Sequence, residues 1–294
     1  MNKKSDANTY KVYSYSQKDD VLKLAKALSK YLDSTAKHNF VKDIQTEDIQ
    51  GFLDEKAKTN NNFSLNKLMS QIRKLDMLCR HTYKSAFTWN IDELLVPASM
   101  MPAGKLRNKS IPMELAEKIA ATMKAQSKSE AYKSPLLSTH INLRVEETSL
   151  IRAKAVTLFG GEFGLGEVAI TDNIAKGGRD RIIPVISEKT RDFLGNLIAG
   201  KEPMDFLIQK KDGRNMEPES ITNQFRKALV TMGIDIEYAN TKNHALRKGC
   251  AQMYYDWFRK TKGKAWAIEA TNRVLGHGAK RSVQELAVYV ANIW

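Results

Sequence analysis

The sequence predicts a mainly α chain with one small antiparallel β-sheet, arranged as an all-helical N-terminal domain followed by a mixed α/β domain. Three observations carry that prediction. Apolar residues recur at three- and four-residue spacing through most of the 294 residues, which marks helices with one buried face. Two short β-type runs, VAIT at 168–171 and RIIPV at 181–185, flank the Gly177–Gly178 pair, and such a pair supplies the positive φ that a hairpin turn needs. Pro97, Pro102, Gly104 and Pro112 interrupt the helical texture over 96–112, as a linker does.

Taken in order, residues 1–18 are polar and read as a flexible segment. From Asp20, the positions Val21, Leu22, Leu24, Ala25, Leu28 and Leu32 form a helical face. Thr46, followed by Glu47 and Asp48, starts a second helix that carries Ile49, Phe52 and Leu53. Asn60, Asn61 and Asn62 make a turn. Ser64 to about Tyr83 is a longer helix whose stripe of Leu65, Leu68, Met69, Ile72, Leu75 and Leu78 is core. This gives a helical domain over 19–95, a linker over 96–110 and a second domain over 111–294. In that second domain, Pro112 fits the first turn of a helix running through Met123. A helix containing Arg144 to Arg152 comes next, then the hairpin, then helices over 187–200, 217–232, 244–260 and 265–275.

Charge narrows the partner. Lys and Arg number 47 against 33 Asp and Glu, a net charge of +14. Residues 1–110 hold 19 basic and 12 acidic side chains, so both halves carry the same excess of 7. The excess is not a basic tail on a neutral enzyme, and it points to a polyanion that both domains face. The basic residues are spread along the chain and not gathered on one amphipathic helix, which favours nucleic acid over a membrane surface. No apolar run approaches the ~18 residues of a membrane span, and the polar start MNKKSDANTY is unlike a secretory signal. The two cysteines, Cys79 and Cys250, are too few for a disulfide framework or a four-cysteine zinc site. A reducing, cytoplasmic setting is expected.

Four stretches bear chemistry. NLRVEETSLI (142–151) holds Arg144 and Glu147 three apart. AKGGRDRIIPV (175–185) places Lys176 at the hairpin turn. HALRKG (244–249) puts His244 and Arg247 on one helical face. LGHGAKRSVQELAVYV (275–290) contains His277 and then Tyr289. Singly, an Arg-x-x-Glu or a His-x-x-Arg is more often a solvated helix face, and a tyrosine near a terminus is more often core. Neither dinucleotide-binding nor Walker-type glycine patterns occur.

Together and in this order, the four stretches resemble the tyrosine recombinase (phage integrase) family. The resemblance covers 111–294 through specific motifs. Over 19–95 it rests on an all-helical, basic domain in the place of the family's core-binding domain. It implies a catalytic set of Arg144, Lys176, His244, Arg247, His277 and Tyr289, with Glu147 in support and with no metal and no cofactor. Arg144 and Arg247 would clamp the phosphate's non-bridging oxygens with forked, permanently charged donors. His244 and His277 would donate hydrogen bonds, His244 also accepting the tyrosine proton. Tyr289 would form a 3′-phosphotyrosyl link, and Lys176 would protonate the departing 5′-oxygen. A covalent link conserves the bond energy, so no ATP is needed.

The resemblance also implies the partners: double-stranded DNA with a specific core site, three further copies of the chain in a homotetramer on a Holliday junction, and accessory DNA-bending or directionality proteins. Lys105, Arg107 and Lys109 in the linker, Arg179 and Arg181 beside the hairpin, and Lys248 are candidate backbone contacts. Tyr254 and Tyr255 sit on an apolar-rich stretch and read as core. Arg144 to Lys176 is longer than in compact members, and GGEFGLGE (160–167) reads as an enlarged loop. That loop and the five residues after Tyr289 favour integration and excision of a phage or other mobile element over Xer-like dimer resolution. A non-catalytic DNA-binding relative has no use for the full set, and a type IB topoisomerase fits the two-domain length less well.

Overall fold

The computed structural model describes residues 15–35, 43–83, 89–101, 109–171, 174–175, 180–238, 243–277, 283–291 and 293. Lys105, Arg107, Lys176, Gly177, Gly178, Arg179 and Trp294 lie outside the described residues. The chain divides into two compact units, Met1–Lys105 and Leu106–Trp294. It is mainly helical, with one three-stranded antiparallel sheet.

The first unit contains α1 (Tyr15–Thr35), α2 (Thr46–Ala57) and α3 (Asn62–Tyr83). Helix α1 begins inside the stretch read as flexible. Leu24, Leu28 and Leu32 from α1, Ile49, Phe52 and Leu53 from α2, and Met69 and Ile72 from α3 meet in one core, because each set recurs at helical spacing. Helix α2 starts where the Thr-Glu-Asp signal put it: the backbone N–H of Gln45 donates to Asp48 at 2.9 Å, which satisfies a donor that the helix itself leaves open. Trp89 closes the unit at 2% exposure. Its indole N–H and the Arg80 guanidinium both donate to the buried carboxylate of Asp76.

The second unit runs α4 (Met113–Gln126), α5 (Lys133–Ile141), α6 (Val145–Leu150), β1 (Val156–Thr157), β2 (Glu167–Ile170), β3 (Arg181–Pro184), α7 (Glu188–Ile198), α8 (Pro218–Thr231), α9 (Asp235–Tyr238), α10 (His244–Lys262), α11 (Lys264–Val274) and α12 (Val283–Leu286). Three details differ from the sequence reading. Pro112 caps α4 and is not in its first turn. Arg144 precedes α6 as its cap, with extended backbone, because the Glu147 carboxylate accepts from the Arg144 backbone N–H at 2.8 Å. Helices α5, α9 and α12 and strand β1 were not anticipated.

The sheet order is β1-β2-β3 with Val168 opposite both Val156 and Ile183. Alternation places Arg181 and Ile183 inward, while Ile182 is 57% exposed. The β1–β2 connection is the glycine-rich stretch, and Phe163 within it packs edge-on against Trp257 at 4.6 Å between ring centres. Helix α10 runs through the core, with Tyr254 and Tyr255 fully buried as expected. At Gly249, the Ile111 carbonyl lies 2.1 Å from where a Cβ would stand, so the start of the unit can cross α10 only over a glycine.

Candidate active site

The site forms where α6, β3, α10 and the turn after α11 converge. Its centre is Glu147, fully buried at 0% exposure. Arg144 Nη1 donates to Glu147 Oε1 at 2.8 Å. Arg181 donates to both oxygens, Nη1 to Oε1 at 2.9 Å and Nη2 to Oε2 at 2.7 Å. The carboxylate thus accepts one bidentate guanidinium, one further guanidinium and a backbone amide. Burial alone would raise its pKa, but the Arg181 hydrogen bonds and charge, with Arg144 behind them, bring it down to about 2.

The second arginine stands on α10. Arg247 is 3% exposed. Its Nη2 donates to the Leu275 carbonyl at 3.0 Å, and Arg144 Nη2 donates to the same oxygen at 3.1 Å. One carbonyl at the end of α11 therefore brings the two forks side by side. Its neighbour explains the glycine of Leu-Gly-His: Gly276 has φ 72°, and a Cβ there would meet Arg181 Nη1 at 3.0 Å. Burial, followed by the charge of Arg144, lowers the Arg247 pKa to about 10. Among the described residues, three guanidiniums face one carboxylate, so two positive charges are left uncompensated at the centre of the site.

The aromatic side completes it. Tyr289, half-buried after α12, lies edge-on to His244 at 4.9 Å and to His277 at 5.3 Å between ring centres. His244 opens α10, one turn from Arg247. His277 is set by its backbone N–H, which donates to the Asn272 carbonyl at 2.9 Å. Tyr289 lies within electrostatic reach of Arg247, so the phenol and the arginine pair share one neighbourhood.

The structure thus brings together Arg144, Glu147, His244, Arg247, His277 and Tyr289. Lys176 and Arg179 fall outside the described residues, as do Lys105 and Arg107. Lys109 is exposed and pairs with Glu237 at 3.0 Å. Arg181 is a correction. Arg181 faces inward from β3 and is bound to Glu147 and to the Val274 carbonyl, so it supports the site from within instead of reaching a DNA backbone. Lys248 is 5% exposed on the inner side of α10. Sequence reasoning missed Asn142, which contacts Arg247, and the role of the Leu275 carbonyl. Strand alternation was the available signal for Arg181, since it shares a face with Ile183. Among the described residues, no helix is long and apolar enough to cross a membrane, and no cluster of His, Cys, Asp or Glu could hold a metal ion.

Solved structures share this fold. A lambda integrase dimer bound to a COC' core site matches with a TM-score of 0.63 at 15% identity, covering 95% of this chain and 72% of that one. The chain has the tyrosine recombinase fold. The Tn1549 transposon integrase in complex with transposon right end DNA matches the same fold at 0.63 and 12% identity, over 95% of this chain and 90% of that one. A lambda integrase tetramer bound to a Holliday junction does so at 0.63 and 14% identity, over 93% and 74%. No family model matches the sequence, and no curated protein does.

Proposed function

We propose that this chain is a site-specific strand-exchange enzyme that cuts and rejoins duplex DNA through a 3′-phosphotyrosyl intermediate. The observation that carries this reading is Tyr289 held between His244 and His277, beside two arginines that converge on the Leu275 carbonyl. A phenol has an ordinary pKa near ~10, so attack at neutral pH requires an acceptor for its proton. His244 takes that proton as Tyr289 Oη bonds to phosphorus. The bond from phosphorus to the 5′-oxygen breaks, and Lys176 supplies the proton that the leaving oxygen needs. Rejoining is the same exchange run backwards with a new 5′-hydroxyl.

Electrostatics fits the step. A phosphodiester carries one negative charge, and attack by a phenolate brings a second onto the pentacoordinate phosphorus. The two uncompensated positive charges of the arginine cluster match that dianion better than the ground state. Donors already in place stabilise the transition state without reorganising.

The proposed partner is duplex DNA with a core site, gripped by both domains (19–95 and 111–294) and crossed by the linker over 96–110. Lys105, Arg107, Lys109, Arg179 and Lys248 remain proposed backbone contacts. Binding would be strongly salt-dependent through counterion release. Four protomers on a Holliday junction are proposed by analogy with the lambda integrase tetramer. The proposed role is integration and excision of a mobile element, in a cytoplasmic, DNA-bound setting.

The test is a nicked suicide duplex, selected from randomised DNA by binding, incubated with the protein and run on a denaturing gel. A covalent adduct that maps to Tyr289 and disappears in Tyr289→Phe is expected. An adduct that persists in the phenylalanine variant removes Tyr289 as nucleophile. No adduct on DNA that the protein binds specifically removes the enzymatic reading.

A further inference from the structure

We propose that Asn142 is a positioning residue that aims the Arg247 guanidinium at the reacting phosphate. The inference rests on the strand-cleavage reading above. Asn142 caps α5 at φ 57° and ψ 32° and is 0% exposed. Among the described residues it is the only non-glycine with positive φ. Asparagine tolerates this region better than most side chains, and a buried residue in such a conformation is a place to look for function.

Three of its hydrogen bonds lead to Arg247, and it also contacts the buried Cys250 thiol. Arg247 Nε donates to the Asn142 backbone carbonyl at 3.1 Å and to Asn142 Oδ1 at 2.8 Å. In return Asn142 Nδ2 donates to the Arg247 backbone carbonyl at 3.2 Å. The two partners fix the orientation of the amide, since Nε–H can only donate and the carbonyl can only accept. One residue therefore grips both the base of the guanidinium and the main chain from which the side chain springs.

The consequence is directional. Nε is held by Asn142 and Nη2 by Leu275, which fixes the guanidinium plane. Nη1 has no hydrogen bond to any described residue, so it is the edge left for a substrate oxygen. A glycine would supply the backbone angle without the amide. The amide is thus not needed for the turn, and its contacts account for its presence. Misplacing a catalytic group by about 1 Å costs on the order of 100-fold in rate.

The experiment compares wild type, Asn142→Gly, Asn142→Ala and Arg247→Ala with and without Asn142→Gly in single-turnover cleavage of the suicide duplex, with DNA affinity and thermal unfolding measured alongside. Asn142→Gly keeps the turn and loses the amide. We expect cleavage to slow about 10- to 100-fold while DNA affinity stays within about threefold. Asn142→Ala also loses the amide and is expected to slow cleavage as Asn142→Gly does, while in an Arg247→Ala background Asn142→Gly is expected to slow it no further. A glycine variant that cleaves like wild type overturns the inference, as does a glycine substitution that slows the Arg247→Ala variant as much as it slows wild type. A rate loss matched by an equal loss of DNA affinity also overturns it. Should the glycine variant fail to fold, the alanine variant decides alone: cleavage slowed about 10- to 100-fold at unchanged DNA affinity supports the role, and wild-type-like cleavage ends it. If wild type forms no adduct at all, the cleavage reading has failed instead, and the two failures are distinguishable.

Discussion

Each unit buries a carboxylate under an arginine, and the two clusters differ in what is left over. In the N-terminal unit, Asp76 accepts from Arg80 Nε through both oxygens at 3.0 Å and from the Trp89 indole, while Arg80 also donates to the Trp89 carbonyl. Among the described residues, one cation meets one anion there. In the C-terminal unit, Glu147 is as fully engaged, but it serves Arg144 and Arg181 while Arg247 stands on the same Leu275 carbonyl as Arg144. A balanced buried pair ties a chain segment in place. An unbalanced one holds positive charge out of water at a cost, which folding stability alone does not explain. The surplus is what marks the second cluster as a site for an anion.

The largest expected effect separates the carboxylates. Glu147→Gln leaves three guanidiniums without their counter-ion and should cost about 3–5 kcal/mol at neutral pH, read by urea denaturation. The sign with pH follows from the direction of its shift. With a folded pKa of about 2 and an unfolded value near ~4.3, Glu147 stabilises fully above ~4.3, and that contribution is lost as pH falls through about 2. The gap between wild type and variant should close over that window. A gap that is constant with pH would mean that packing, not charge, holds Glu147. Next comes the balanced pair: Arg80→Ala strands Asp76 with the Trp89 indole and should cost about 2 kcal/mol, less because the Arg80 side chain is 43% exposed. A smaller effect sharpens the geometry. Gly276→Ala forces a Cβ onto Arg181 at positive φ and should cost about 1–2 kcal/mol. A neutral outcome would show that Arg181 can yield without disturbing Glu147.

Much of this was legible in the sequence, and the parts that were not share a cause. Helices with one apolar face announced themselves: α2, α3, α8 and α10 start or end within a few residues of where spacing put them. Helix α5 did not, because Ser134, Pro135, Leu137, Ser138, Thr139, His140 and Ile141 are all buried, so polar and apolar positions show no stripe for periodicity to find. Strand β1 has two residues, too short for any alternation. The six site residues were visible as an ordered set of motifs, five of them within the described residues. The supports were not, because they are contacts across the chain: Asn142 meets Arg247 from 105 positions away, and Arg181 meets Glu147 from 34. A backbone contact by Arg181 was inferred from residue type, and its inward pairing with Glu147 reversed it. The Leu-Gly-His stretch was recognisable as wording, yet its reasons lie in its backbone, in a carbonyl shared by two arginines and a glycine pressed on a third.

The claim that surplus charge makes the site is tested most directly by Arg247→Ala beside Arg80→Ala, each assayed for single-turnover cleavage, DNA affinity and unfolding. The account predicts that Arg247→Ala lowers cleavage by about 1,000-fold or more, with DNA affinity within a few-fold of wild type and little loss of stability. Arg80→Ala should lose stability and, while folded, retain cleavage. Wild-type cleavage by Arg247→Ala, or an unfolding cost as large as that of Glu147→Gln, would make the second cluster a structural tie like the first and contradict the account.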